Sequence, residues 1–434
     1  MHFAPLRKTL REAALAVFFL ISFSILKYFP GLTMIKEGWI IATSIFLLTF
    51  YVADRLAKGT RISQLEGYIL ILLLWAPTSS VIQSYSEFEQ PLIYGLLAQR
   101  NIMLAISAII LLYLLRHKQI TLPDVEQALV KLAWGCLTLF TLVTWTFDPI
   151  QFVDAGKGFV GGSNIGEAAF NFNSIFIVFG FYYHISNAFW QAKTKQILLA
   201  IPFLLFLIFV DGGRSLLLSV FGTVIFFLYR WISFSRLVRM IPRILLLAMI
   251  FFAVILFSKQ EYMIGLIDKF NDAFIVVLTA KETMDVSANA RIQEVLIAKP
   301  YIAARWAFGN GNLSNQWQGG FQSRLGYFYP SDIGIIGMVF LFGIFGVLLF
   351  SFQFLFAVRY ANRLPKNGGE HGALICATKG FLLYYALHSL VTGKFVHSVE
   401  IGLLFIVILY WASLTAKKTN TVVITNSIST DVAQ

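Results

Sequence analysis

Runs of strongly apolar residues, each broken by a short polar connection, recur along almost the whole chain. Stretches such as LAVFFLISFSIL and GYILILLLWA carry no polar face at helical spacing, so they do not read as helices resting on a soluble core. They suit lipid on every side. The pattern predicts an all-α polytopic membrane protein with about twelve spans, near 13–29, 39–53, 67–82, 101–115, 131–147, 172–189, 197–211, 215–230, 243–257, 333–357, 373–391 and 399–415. Helices 1–9 thus occupy 1–257, a long loop 258–332, helices 10–12 333–415 and a tail 416–434. Arg7, Lys8 and Arg11 precede the first span as in a signal sequence, but LKYFPGL offers no small-residue cleavage site. The segment therefore reads as a retained span.

Composition agrees: 58% of the 434 residues are hydrophobic and 13% charged. A formal charge of +12 would fit a nucleic-acid partner only if it formed a continuous stripe, and it falls instead in clusters between apolar runs. No nucleic acid is expected; membrane topology explains the charge. When alternate connections are assigned to opposite sides, one set holds twenty Lys and Arg, among them Arg11, Arg55, Arg116, Lys131 and Arg359, and the other short connections hold six. That places both termini in the cytoplasm and the long loop outside. The two cysteines, Cys136 and Cys376, sit in or beside apolar segments and read as packing residues, with no disulfide or thiolate metal site.

Within the loop, YMIGLIDKFNDAFIVVL is spaced as an amphipathic helix lying along the membrane surface. ANARIQEVLIAK reads as helix up to Pro300, which is expected to end or kink it. GNGNLSNQWQGG reads as irregular loop, and the C-terminal TNTVVITNSISTDVAQ as a frayed tail.

The connection VDGGRSL, residues 210–216, is unusual for a turn between spans seven and eight, since it places Arg214 on the outer side. Paired glycines let backbone amides turn toward an anion, and Ser215 opens the next helix with its positive dipole end. Such a turn suits phosphate. The plainer alternative is a tight turn in which Arg214 pairs with Asp211 or a lipid headgroup.

A short outer turn of this G-x-R-[SA] form resembles the signature of the O-antigen polymerase and O-antigen ligase superfamily. The resemblance extends to ARIQEV with Arg291, to FGNGN across Gly309 and Gly311, and to DIGIIG from Asp332 to Gly337. It covers mainly residues 200–350. It implies a membrane glycosyltransferase acting on undecaprenyl-diphosphate-linked glycans at the periplasmic face of the bacterial inner (cytoplasmic) membrane, in O-antigen, lipopolysaccharide or related polysaccharide biosynthesis. Ligases of the superfamily carry a histidine shortly before the acidic position, where this chain has Ser323 and Arg324. Polymerisation of repeat units is therefore the favoured expectation, with transfer of glycan to lipid A core as the alternative. A lipid-linked oligosaccharide flippase is the alternative from another class. Implied partners are the lipid-linked glycans, membrane lipid and a chain-length regulator.

The site expected from the resemblance has Arg214, Arg291 and Asp332 as catalytic residues, and Arg214, Arg291, Arg305 and Arg324 around the departing diphosphate. Guanidinium groups bind phosphate oxygens in pairs and keep their charge, so neither metal nor cofactor is called for. Asp332 is the first choice to receive the acceptor's proton and Asp211 the second. Each has a plainer reading. Arg291 pairs with Glu294 along a helix, Arg305 anchors at the interface beside Trp306, and Asp332 follows Ser331 as a helix cap. Trp317, Tyr327 and Tyr329 suit either sugar stacking or an interfacial belt. His388 and His397 fall near the outer ends of the last two spans, where they read as packing or surface groups, and the six histidines have no metal-ligand spacing. GKG at 156–158 lacks the P-loop form.

Overall fold

The computed structural model describes residues 8–25, 33–59, 61–152, 160–162, 168–191, 194–231, 286–365 and 371–431, with Ile264, Gly265, Asp268 and Asn271. The expected ninth span at 243–257 and the amphipathic helix YMIGLIDKFNDAFIVVL lie outside the described residues, apart from those four positions.

Two helices open with capping boxes. Helix α1 is Lys8–Ser22 and α2 Thr33–Phe46, which runs through a π turn, Leu47–Tyr51, into α3, Val52–Lys58. At the start of α4, Gln64–Phe88, the Glu66 amide donates to Ser63 Oγ (3.3 Å) while the Ser63 amide donates to Glu66 Oε2 (2.9 Å). Next come α5 (Leu92–Ala98), α6 (Arg100–Met103) and α7 (Ile106–Arg116). The stretch is bent by 56° between Ala98 and Arg100. Helix α8, Leu122–Thr146, starts on the second box, Thr121 with Asp124.

Strands β1 (Val160–Gly162) and β2 (Ala168–Phe170) form an antiparallel hairpin with Val160 opposite Phe170. Among the described residues it is the only paired strand structure. Helix α9, Ile175–Gln191, precedes α10, Thr194–Phe206, whose π turn Leu207–Asp211 leads to α11, Arg214–Trp231. Helix α12, Val286–Ala304, runs past Pro300 rather than ending there, and the Arg305 amide still reaches the Tyr301 carbonyl at 3.0 Å, as in a helix turn. A proline removes its own amide bond only, and the turns on both sides hold.

The chain continues with α13 (Phe321–Leu325), α14 (Gly334–Arg363), α15 (Gly372–Thr392), α16 (Lys394–His397) and α17 (Val399–Asp431). Helix α17 carries on through the segment expected to fray, because extending a formed helix costs far less than starting one.

By length and composition, six described helices can cross a membrane, or seven if the bent pair from Leu92 to Arg116 is one span. Helices α9 and α11 contribute only shorter apolar stretches, Ile175–Phe189 and Arg214–Phe226. The protein is thus a helical, membrane-embedded bundle. At its centre is α17, apolar all round and buried from Ile401 to Tyr410, packed on α7, α14 and α15. Cys136 and Cys376 are buried and unbonded to each other.

Salt bridges gather the basic connections at one end of the bundle. Glu66 receives Arg55 and a bidentate Arg116 (both 3.0 Å), and the Tyr51 hydroxyl at 2.9 Å. Arg11 reaches Asp124 at 3.5 Å, Lys131 pairs with Glu12, and Arg359 near the far end of α14 donates to Gln64 at 2.6 Å. Since α14 begins at Gly334, the connections around Asp332 lie at the opposite end.

Candidate functional site

The segment after α12 is sewn into the apolar helices. Helix α14 breaks at Gly343, whose φ of 64° and ψ of −176° interrupt the hydrogen-bond ladder. Residues 306–311 fill that break. Trp306 and Ala307 carbonyls accept the Ile344 and Phe345 amides (2.9 and 3.2 Å), and the Asn310 and Gly311 amides donate to Phe340 and Leu341 (both 2.9 Å). A side chain at Gly343 would start 2.2 Å from the Ala307 carbonyl oxygen. Gly311, with φ of 79°, lies as tightly against the Ser80 carbonyl of α4, 2.4 Å from where a Cβ would stand. The GNGN stretch is irregular, as expected, but it is largely buried, and its glycines serve close backbone approach.

The same tethering positions the residues that follow. Gln90 takes the Ser314 amide on Oε1 (2.7 Å) and donates to the Asn312 carbonyl (3.0 Å). The chain then returns through Tyr327–Asp332 to α14, and a side chain at Gly334 would start 2.5 Å from the Leu390 carbonyl on α15.

Here Arg291 and Asp332, far apart in sequence, come together. Both act electrostatically on Glu294 and on Tyr327. Glu294 is fully buried; its Oε1 accepts the Tyr329 amide at 3.0 Å, and its Oε2 has no hydrogen-bond partner. Burial, followed by the negative charge of Asp332, pushes its pKa from the usual 4.5 up to about 7, against the pull of the Tyr329 amide and Arg291. Asp332 is exposed. Its Oδ1 accepts from Ser331 Oγ at 3.1 Å, and α14 is capped at Ile333 without a side-chain bond, so Asp332 does not serve as the helix cap.

Sequence reading treated Glu294 only as a neighbour of Arg291. The missing signal is the return of Tyr329 over α12, which no periodicity announces.

A second group surrounds the VDGGRS turn. The carboxylate of Asp211 accepts from Ser174 Oγ and from the Gly213 amide, and Lys394 lies close enough to act on its charge. The Gly212 amide goes back to the Leu207 carbonyl at 3.0 Å. The Gly213 amide thus serves the chain's own Asp211 and the Gly212 amide a carbonyl, where a phosphate cradle was expected of the pair. Arg214 is half-buried at the start of α11. Ser215 Oγ is 3.4 Å from His388 Nε2, whose Nδ1 is 3.0 Å from the Tyr384 hydroxyl. His388 and the Leu390 carbonyl behind Gly334 belong to the same end of α15, so both groups border that end.

Two expected arginines are engaged elsewhere. Arg305 pairs through Nε with Glu87 (2.7 Å) and donates to Gln83 and Ser86 (3.1 and 3.2 Å), which ties α12 to the end of α4. Arg324 lies 4.5 Å over the Trp317 ring and donates to Gln318 at 3.2 Å.

A cavity of about 460 Å³ opens beside the Tyr329–Ser331 turn, between the end of α1, the start of α2, the α5–α6 bend and residues 312–331. No three His, Cys, Asp or Glu side chains converge as metal ligands among the described residues. No protein-family model and no curated protein matches the chain. Fold and site together define a multi-pass helical membrane protein with an acidic and basic cluster at one end of the bundle.

Proposed function

We propose that the chain is a polysaccharide polymerase of the bacterial cytoplasmic membrane, joining undecaprenyl-diphosphate-linked oligosaccharide repeats at the periplasmic face. In this reading the bundle has twelve spans, both termini lie in the cytoplasm and residues 258–332 are periplasmic. The observation that carries it is the meeting of Arg291, Glu294 and Asp332, which belong to two of the motifs shared with the O-antigen polymerase and ligase superfamily. A cation next to two carboxylates of unequal environment suits transfer of a sugar from a diphosphate to a hydroxyl.

The acceptor oxygen attacks the anomeric carbon, the bond from that carbon to the diphosphate breaks, and its electron pair leaves on the diphosphate. Arg291, with Arg214 across the end of α15, neutralises that departing charge. Asp332, the exposed carboxylate, takes the acceptor's proton. Glu294 is a positioning residue: it holds the Tyr329 amide and sets the negative potential behind Asp332. Arg305 acts as a tether rather than a phosphate ligand, given its three partners on α4.

Purified protein in lipid nanodiscs, supplied only with lipid-linked repeats, is expected to lengthen them. A strict need for lipid A core as acceptor would make it a ligase, and translocation without lengthening would make it a flippase.

A further inference from the structure

The cavity of about 460 Å³ has a lining unlike that of an anion site. Its charges are spent on each other or on amides: Arg100 Nη1 lies 2.8 Å from Glu37 Oε1, and Lys36 donates to Asn101 Oδ1. What faces the space instead is carboxamide, from Asn101, Asn312, Asn315, Gln316 and Gln322. A carboxamide sets an acceptor oxygen and two donor hydrogens side by side, the pattern that adjacent sugar hydroxyls require. Asn101 Oδ1 is engaged by Lys36 and Asn312 Nδ2 by the Ala98 carbonyl (3.2 Å), so Asn315, Gln316 and Gln322 supply that pattern. Tyr329 lines the same space, 38% exposed and edge-on to Tyr327 with ring centroids 5.3 Å apart. Its ring gives an apolar face for the C–H side of a sugar. The volume falls in the range of ordinary ligand pockets, roughly 300–1,000 Å³.

We propose that this cavity is a glycan-binding subsite that takes an uncharged part of an oligosaccharide. That the oligosaccharide is the acceptor repeat rests on the polymerase reading; that the ligand is a sugar does not. Tyr329 and Ser331 line the cavity and Asp332 follows directly, so a sugar seated there brings its hydroxyls to the Asp332 side of the turn. A diphosphate is disfavoured by the paired charges, and a polyprenyl chain by the amides.

The test uses the full-length protein in nanodiscs and, as probe, the lipid-free oligosaccharide released from the native carrier lipid by mild acid. Saturation-transfer NMR is expected to show contact with the sugar's C–H protons. Gln316→Ala combined with Gln322→Ala, two exposed side chains, should weaken binding about tenfold through the loss of two hydrogen-bonding groups. Tyr329→Leu should remove the C–H contacts while keeping the backbone amide that holds Glu294. An unchanged melting temperature shows that each variant is folded.

Binding unaltered in both variants would overturn the proposal, as would displacement of the sugar by inorganic pyrophosphate. Chain lengthening by a wild-type protein that ignores the free sugar would also overturn it while leaving the polymerase reading intact. Sugar binding that both variants weaken, in a protein that lengthens nothing, would uphold the subsite and remove the polymerase reading.

Discussion

Glu66 and Glu294 are both buried glutamates, at opposite ends of the bundle, and they are treated very differently. Glu66 is surrounded by donors: two arginines, a tyrosine hydroxyl and a backbone amide. Glu294 has one amide, and a second oxygen with no hydrogen-bond partner. A carboxylate with all its lone pairs filled clamps helices together. One left short of donors beside a second carboxylate costs stability, and such under-supplied groups collect at functional sites.

The largest effect expected from this contrast is on Glu66. Glu66→Ala leaves Arg55 and Arg116 without their carboxylate, and should destabilise the detergent-solubilised protein by about 3–5 kcal/mol, read as a collapse in melting temperature or yield. Next are the arginines of the proposed site. Arg291→Ala and Arg214→Ala should each cut chain lengthening by about 10²–10³-fold with little change in melting, the usual consequence of losing one stabiliser of developing charge. Near-normal chain lengths from both would refute the diphosphate site.

Glu294→Gln sharpens the comparison through pH. The pKa of Glu294 is raised to about 7, so its contribution to stability is complete below the ordinary carboxylate value and is lost as pH rises through about 7. The glutamine variant should therefore melt above wild type near pH 8.5 and about level with it near pH 4, in a thermal series across that range. Chain lengthening by wild type should rise through about pH 7 as the charge appears, and the variant should lose that step. The smallest effect belongs to Arg305→Gln. Its pair with Glu87 is 29% and 25% exposed, so the loss should stay under about 1 kcal/mol in a melting assay and leave activity nearly intact.

Much of the bundle is legible in the apolar runs, because lipid rewards uninterrupted hydrophobicity and the polar connections stand out against it. The basic connections can be traced the same way, and ion pairs such as Arg116 with Glu66 and Lys131 with Glu12 join them at one end. Helix breaks are harder to see. The π turn at Leu47–Tyr51 and the interruption at Gly343 leave the hydropathy profile unchanged. The GNGN stretch reads as irregular loop because its residues are small and polar. Its burial depends on backbone groups that the break in α14 sets free, and a side-chain pattern does not encode those. Arg305 shows the same limit: its motif position suggested phosphate, while its partner Glu87 lies on a helix more than two hundred residues earlier. Glu294 was visible only as a helix neighbour, since its fate depends on a fold-back that no local signal marks.

The splice at Gly343 bears on how the protein can move. Lifting residues 306–311 would strand the Ile344 and Phe345 amides and the Phe340 and Leu341 carbonyls in an oily interior, several kcal/mol for each group left dry. A segment fastened in this way cannot swing as a hinged flap. It behaves as a fixed sill at that end of the bundle, held still against the helices beneath it.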